Sequence, residues 1–225
     1  MQVIEFNGLP GCGKSTVVNS LKQSMELVNQ TFLYNELSQC IPKSKFKKII
    51  HCLKKWSFLE LIYFLKIANS INKKIDKTQI KRIFIAEEIC SNYRQFKSMQ
   101  GYCLVDQGIL QAILSIIHTY EIKDYKKLEC YVMKIIYKYK DDIVFVNSIS
   151  STSLALDRIR YRNFDNGSRM NFITSDRELE IELKAQLKSL LFLRDIVNTK
   201  YKAIAIDMNR MPNENVEMIF SRVNK

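Results

Sequence analysis

The feature that most constrains this chain is a glycine-rich turn near its start, Gly-Leu-Pro-Gly-Cys-Gly-Lys-Ser-Thr at residues 8–16. An apolar run at residues 2–7 leads into the turn, and residues 14–29 continue it with helical periodicity. Glycines let backbone N–H groups curl around an anion, and the start of the following helix adds a positive dipole. A glycine followed after four residues by Gly-Lys-Ser is the spacing of a phosphate-binding loop (P-loop) between a strand and a helix. The turn therefore predicts a nucleoside-triphosphate site.

The residues of this loop have predictable tasks. Lys14 is expected to reach the β- and γ-phosphates of ATP, and the Ser15 hydroxyl is expected to ligate Mg²⁺. ATP and Mg²⁺ are therefore the expected cofactors. The residues expected to bind the nucleotide are Gly8, Pro10, Gly11, Cys12, Gly13, Lys14, Ser15 and Thr16.

Length and composition favour one globular domain over residues 1–225. Hydrophobic residues make up 47% of the chain, which is enough for a substantial core. The longest apolar stretch, residues 57–65, is interrupted by Glu60 and is too short to span a bilayer. No charged and then apolar leader opens the chain, so we expect a cytoplasmic protein without a membrane partner.

The cysteines and the net charge narrow the class of partner. The six cysteines show no C-x-x-C spacing, so neither zinc nor a disulfide framework is indicated. The net charge of +12 is compatible with a nucleic-acid surface or with a site for small polyanionic substrates. Because no nucleic-acid recognition motif is present, nucleic acid remains possible but is not favoured.

The order of apolar runs predicts an α/β fold with a mostly parallel, five-stranded sheet. Strand, helix and strand within residues 2–35 form a βαβ unit. The other predicted strands lie at residues 101–106, 142–147 and 203–207, and long helices separate them. Residues 41–100 have helical periodicity and are far too long for an ordinary connection. We interpret them as a helical insertion over the carboxyl edge of the sheet, where an acceptor would be enclosed.

The strand at residues 101–106 ends in an acid, Asp106. At a P-loop site, a carboxylate at a strand end is placed to bind Mg²⁺, directly or through water. The alternative is that Asp106 only caps the helix that follows it. Because a P-loop is present, the functional interpretation is favoured.

An arginine-rich segment follows the fourth predicted strand. Arg158 and Arg162 are four residues apart and share a helix face, whereas Arg160 points elsewhere; Arg169 lies in the next loop. Planar guanidinium groups match the oxygens of a phosphoryl group in transfer, so residues 158–177 are predicted to form a lid that closes over the donor. The alternative is a solvated basic helix. Two helix caps are also predicted. Thr152 is a possible cap before the arginine-bearing helix, and Ser175 to Glu178 predicts a capping box at the start of a long helix.

This order of parts resembles the nucleoside-monophosphate-kinase-like P-loop kinases, closest in layout to thymidylate kinases and deoxynucleoside kinases. The resemblance rests on the P-loop, Glu36 after the second strand, the helical cap, Asp106 and the arginine segment. It implies a three-layer αβα sandwich with an arginine-bearing lid. Gln107 departs from the Asp-Arg pair typical of thymidylate kinases, which removes a cation expected beside an acceptor phosphate.

The resemblance implies an ATP-dependent phosphotransferase acting on a small hydroxyl- or phosphate-bearing acceptor, most readily a nucleoside or a nucleoside monophosphate. It places Glu36 beside the acceptor hydroxyl and leaves open whether Glu36 or Asp106 is the base. The residues expected to act in transfer are Lys14, Asp106, Glu36, Arg158, Arg162 and Arg169. Two alternatives remain, a P-loop ATPase or nucleotide sensor without an acceptor, and a kinase directed at nucleic acid.

Overall fold

Five strands form one sheet at the centre of the molecule. The computed structural model describes residues 1–27, 31–34, 56–71, 75–117, 121–161, 169–201 and 203–223, with the backbone alone at residues 169 and 171. The strands are Gln2–Asn7 (β1), Thr31–Leu33 (β2), Tyr102–Val105 (β3), Ile143–Ile149 (β4) and Ala203–Asp207 (β5). Their spatial order is β2-β3-β1-β4-β5, and every pairing between these described strands is parallel. The sheet is thus fully parallel, where the sequence predicted a mostly parallel one.

Eight α-helices connect or follow these strands within the described ranges. They are Lys14–Glu26 (α1), Phe58–Asn69 (α2), Lys77–Phe96 (α3), Ile109–Ile117 (α4), Tyr125–Ile136 (α5), Thr152–Arg160 (α6), Asp176–Lys200 (α7) and Pro212–Val223 (α8). Short 3-10 helices follow at Tyr137–Tyr139 and at Arg169–Phe172. None of the helices in these parts of the chain is long and apolar enough to cross a membrane.

The helices cover both faces of the sheet. Side chains two residues apart on a strand point to the same face, so Glu5 and Asn7 of β1 share one face. On that face Glu5 contacts the start of α4, and Asn7 contacts Arg194 of α7. Helix α1 packs against α8, and right-handed crossovers place this pair on the opposite face. The predicted three-layer αβα sandwich is confirmed.

Strand β1, which leads into the P-loop, lies at the centre of the sheet. Val3, Ile4 and Phe6 are fully buried, as expected for a parallel strand covered on both faces. Strand β1 pairs with β3 on one side and β4 on the other. The P-loop therefore extends from a strand that is paired on both sides, at the carboxyl edge of the sheet.

The described part of the predicted insertion contains α2 and α3. Helix α3 packs on α4, and α2 packs on α3 and α5. An isolated antiparallel bridge between Ile71 and Ile122 joins the end of α2 to the segment after α4. Residues 35–55, which include the first quarter of the insertion expected at residues 41–100, lie outside the described ranges.

One local prediction is wrong. Helix α6 is capped by Ser151, whose hydroxyl accepts a hydrogen bond from the Leu154 N–H at 3.1 Å, and not by Thr152. Thr152 is already the first helical residue. The cap at Ser175 is confirmed, since its hydroxyl accepts from the Glu178 N–H at 3.4 Å.

Candidate functional site

The glycine-rich turn follows β1 directly and ends where α1 begins. Gly11 and Gly13 have φ angles of 80° and 100°, which lie in the left-handed region that side chains disfavour. A Cβ atom on Gly11 would lie 2.6 Å from the Ala155 carbonyl oxygen, so α6 leaves no room for one. These positions require glycine for backbone conformation and for close packing.

Lys14 and Ser15 begin α1 at the inner edge of this turn. The Lys14 ammonium donates to the carbonyl oxygens of Gly8 at 3.1 Å and Leu9 at 2.9 Å, so it lies over the turn. The Ser15 hydroxyl donates to the Asp106 carboxylate at 3.1 Å. This contact joins α1 to the end of β3 and brings together the two residues that the sequence assigns to Mg²⁺.

Two further residues of the turn, Thr16 and Cys12, differ in burial. The Thr16 N–H donates to the Gly13 carbonyl oxygen at 3.1 Å, which is the first bond of the helix. Thr16 itself is exposed, whereas Cys12 is fully buried with its Sγ 3.7 Å from the Lys14 ammonium. Cys12 thus fills space beneath the turn.

A cavity of about 520 Å³ opens beside the turn. One wall is the turn itself, with Lys14, Ser15 and Asp106. The facing wall comes from α3, α4, α7 and the 3-10 helix. Its residues are Arg82, Ile85, Ile89, Gln111, Ala112, Leu114, Ser115, Met170 and Gln186. A volume of this size suits one small molecule beside a polyphosphate.

Two polar side chains on the facing wall have unmet hydrogen-bonding capacity. The Arg82 Nη1 and Gln111 Oε1 atoms are buried, and neither has a hydrogen-bond partner among the described residues. The apolar side chains of Ile85, Ile89 and Met170 line the same cavity. Both side chains line the cavity, and a small rotation of either would turn its unpaired group toward a ligand there.

A second cavity, of about 210 Å³, lies on the other side of Ser15 and Asp106. Its remaining lining comes from α1 and from the ends of β2 and β3, including Tyr34. Glu36 follows Tyr34 by two residues and lies outside the described ranges. Its predicted place beside an acceptor hydroxyl therefore stays a prediction.

Arg158 lies against the turn. Its guanidinium donates to the Cys12 carbonyl oxygen at 2.5 Å and to the Met208 carbonyl oxygen at 3.2 Å. A Cβ atom on Gly13 would lie 3.1 Å from Arg158 Nη1, so the guanidinium packs directly on the loop. Arg158 therefore contacts the P-loop backbone, and its role as a phosphate clamp stays a prediction.

The other arginines of this segment differ from Arg158 in what the structure shows of their contacts. Arg160 donates to the Asp176 carboxylate at 2.6 Å and to the Ile173 and Thr174 carbonyl oxygens, so it ties α6 to the start of α7. Arg162 lies outside the described residues, and for Arg169 only the backbone is described, at the start of the 3-10 helix. Their predicted contacts with phosphate stay predictions.

A buried carboxylate, Glu5, supports the site from within the sheet. It accepts hydrogen bonds from the N–H groups of Ile109 at 2.9 Å and Leu110 at 2.7 Å, and from the Tyr93 hydroxyl at 3.0 Å. Burial raises the pKa of Glu5 to about 7, although these donors oppose the shift. A Cβ atom on Gly108 would overlap the carboxyl group. Glu5 therefore fixes the loop between Asp106 and α4.

Sequence reasoning missed four polar residues near the site, namely Glu5, Arg82, Gln111 and Arg194. Only Glu5 carries a local signal, because an acid within the apolar run of β1 is unusual. The other three lie on helices, where isolated polar residues are ordinary. Their importance comes from contacts or cavities formed by segments far apart in the chain.

The solved structures with similar folds share the whole layout. A structure of deoxyadenosine kinase from M. mycoides with bound dATP covers 100% of this chain and 100% of its own, at 14% identity and a TM-score of 0.57. A second structure of that enzyme, with the products dCMP and a flexible dCDP bound, covers 99% of both chains at 16% identity and a TM-score of 0.56. The chain shares the overall fold of this enzyme. The predicted resemblance is thereby confirmed for the fold.

No family model and no curated protein sequence matches the chain. At 14–16% identity the solved structures show a common fold. The chemistry must therefore be argued from the residues of this site.

Proposed function

We propose that the protein is a kinase that transfers the γ-phosphoryl group of ATP to a small acceptor, and that the acceptor is a nucleoside. The observation that carries this proposal is the cavity beside the P-loop. One of its walls carries Lys14, Ser15 and Asp106, and its facing wall carries Arg82 and Gln111. The cavity combines a polyphosphate site with polar groups for a second molecule. An ATPase would need only the polyphosphate site.

The donor half rests on the loop at residues 8–16. Its N–H groups and the start of α1 offer partial positive charge to phosphate oxygens. The Lys14 ammonium now bonds to the carbonyl oxygens of Gly8 and Leu9, and it would move to the β- and γ-phosphates when ATP binds. Phosphoryl transfer of this kind depends on position and charge, which such a loop supplies.

Ser15 and Asp106 fit a magnesium ion. A hydroxyl and a carboxylate oxygen 3.1 Å apart, beside a polyphosphate site, are the oxygen donors that Mg²⁺ prefers alongside phosphates and water. When bound, Mg²⁺ would neutralise charge on the phosphates. Asp106 would hold the ion directly or through water, and the Ser15 hydroxyl oxygen would coordinate it.

The acceptor half suits a nucleobase. The Arg82 Nη1 atom can donate to a carbonyl or ring nitrogen, and the Gln111 amide can both donate and accept. Ile85, Ile89 and Met170 supply apolar contact for a flat ring. A planar molecule with a polar edge can bond to both side chains and fill the apolar space beside them, whereas a simple alcohol can bond to either side chain but fills little of that space.

The charge of the acceptor wall favours a nucleoside over its monophosphate. Of the facing-wall residues that the structure describes, Arg82 is the one cation. Gln107 stands next to Asp106, where a second cation would be needed beside an acceptor phosphate. The acceptor hydroxyl would meet Glu36, or Asp106, as the group that takes its proton.

The test measures ADP formation from ATP with nucleosides, nucleoside monophosphates and small alcohols, and identifies products by mass. We expect acceptor-dependent ADP formation with at least one nucleoside. Lys14→Ala should lower turnover by about 100-fold or more with little loss of stability. Lys22→Ala, which removes a lysine that pairs with Glu26 further along the same helix, is the matched control and should retain activity.

Two acceptor variants test the facing wall. Arg82→Met and Gln111→Leu should each raise KM for the nucleoside about ten-fold or more and leave KM for ATP unchanged.

Retained turnover in Lys14→Ala would refute the kinase assignment. Phosphate release independent of any acceptor would favour an ATPase. Phosphorylation of polynucleotides alone, with steep salt dependence, would favour a nucleic-acid kinase.

A further inference from the structure

A buried cation, Arg194, contacts the residues that flank the start of the P-loop. Arg194 of α7 is 7% exposed. Its guanidinium donates to the Ser148 carbonyl oxygen at 2.5 Å and, through Nε, contacts the Asn7 side-chain oxygen at 3.4 Å. Both partners are neutral, and in the described parts of the chain no carboxylate lies within ion-pair distance of Arg194.

The partners of Arg194 place it directly behind the loop. Asn7 is the last residue of β1 and precedes Gly8, the first glycine of the loop. A Cβ atom on Gly8 would meet the Ser148 carbonyl oxygen and the Cys12 Sγ atom, each at 3.0 Å. The Ser148 carbonyl group therefore lies between the guanidinium and the loop backbone.

The environment makes this charge unusual. Burial lowers the pKa of Arg194, and among the described residues the Cys12 thiol opposes the shift. A charge taken out of water without a counter-charge destabilises the folded protein. A protein that needed only a tie between α7 and the strand ends could use a neutral side chain here.

We propose that Arg194 is a positioning residue for the phosphate-binding loop, a buried cation whose charge is balanced by the polyphosphate of the bound nucleotide. The proposal rests on the nucleotide site of the proposed function. The guanidinium acts through Asn7, Ser148 and the loop backbone and does not touch the phosphates. Its field crosses a region of low dielectric and is screened less than that of a surface lysine.

The test compares ligands that differ in charge. Arg194→Met removes the charge and keeps much of the volume, and Arg194→Lys restores a cation. Affinities for ATP, inorganic tripolyphosphate and adenosine are measured by titration calorimetry, with Tm measured on each variant. Lys188→Met, which removes an exposed charge from the same helix, is the matched control.

We expect Arg194→Met to bind ATP and tripolyphosphate roughly ten-fold more weakly and to bind adenosine as the wild type does. Arg194→Lys should recover most of the loss, and Lys188→Met should bind all three like the wild type. A second variant, Asn7→Asp, replaces the side-chain amide that Arg194 contacts with a carboxylate. It should weaken tripolyphosphate binding to a similar extent without removing the arginine, which keeps the test valid if Arg194→Met fails to fold.

Two results would overturn the proposal. If Arg194→Met and Asn7→Asp bind tripolyphosphate as tightly as the wild type, Arg194 is only a structural tie. If affinities for adenosine and ATP fall in parallel, the variant has distorted the whole site and the charge is not the cause. A wild-type protein that binds neither ATP nor tripolyphosphate would instead refute the proposed function, and this inference with it.

Discussion

The buried carboxylate Glu5 should make the protein less stable as pH rises through neutrality. Its pKa is about 7 in the folded protein, because burial disfavours the charged form, against 4.5 for an exposed carboxyl. Between these values the folded state keeps a proton that the unfolded state has lost, so stability falls with rising pH. The contribution of Glu5 is fully present below pH 4.5 and is lost above pH 7.

The size of this effect follows from the shift in pKa. A difference of two to three units corresponds to about 3 kcal/mol in the free energy of unfolding, most of it between pH 5 and pH 8. For a chain of this length that is roughly 10 °C in Tm. Burial is complete at Glu5, so solvent screening does not reduce the estimate.

The assay compares wild type with Glu5→Gln by denaturant unfolding at pH values from 5 to 8. The amide does not titrate, so the difference in unfolding free energy between the two proteins isolates Glu5 from every other group. Glu26→Gln, at an exposed acid on α1, is the control and should show no pH-dependent difference. A constant difference between wild type and Glu5→Gln across this range would refute the reasoning. A wild type that gains stability relative to the variant as pH rises would show that the three hydrogen bonds outweigh burial.

Three further predictions concern the loop and the segment after β4. Gly11→Ala should destabilise the protein by about 2 kcal/mol or more and abolish ATP binding, because a Cβ atom would meet the Ala155 carbonyl oxygen in a left-handed conformation; Tm and calorimetric titration check this. Arg158→Met should lower kcat about ten-fold or more in steady-state kinetics, because the loop loses the guanidinium that holds the Cys12 carbonyl group; an unchanged kcat would remove Arg158 from the site. Arg160→Met should leave ATP affinity unchanged and increase proteolysis of the segment before α7, since its bonds end on that segment; equal cleavage rates in both proteins would contradict this.

The parts of the molecule that local sequence predicts are the strands, the P-loop and the pair formed by Ser15 and Asp106. Apolar runs, glycine spacing and an acid at a strand end are signals contained within a few residues. Once a parallel sheet is assumed, its carboxyl edge brings those strand ends together. The Ser15–Asp106 contact joins residues 91 positions apart and was still predictable for that reason.

The parts that sequence did not predict depend on packing between distant helices. Arg82 and Gln111 lie on different helices, and only their shared place beside one cavity makes them notable. Arg194 contacts Asn7, which is 187 residues away in the chain, and no local sequence pattern predicts a contact over that separation. Ser151 and Thr152 are adjacent hydroxyl residues, so the choice of cap depended on backbone angles that sequence alone leaves open.

The bonds of Glu5 have a consequence for redesign of this scaffold. One carboxyl group binds the first turn of α4, binds Tyr93 on α3, and belongs to the strand that leads into the P-loop. A change that shifts α3 to admit a larger acceptor would therefore pull on the strand that carries the nucleotide loop. Acceptor range should be altered by exchanging side chains at Arg82, Ile85 and Gln111 while α3 stays in place. Directed evolution of this site should accordingly accumulate substitutions at those positions and avoid insertions within α3.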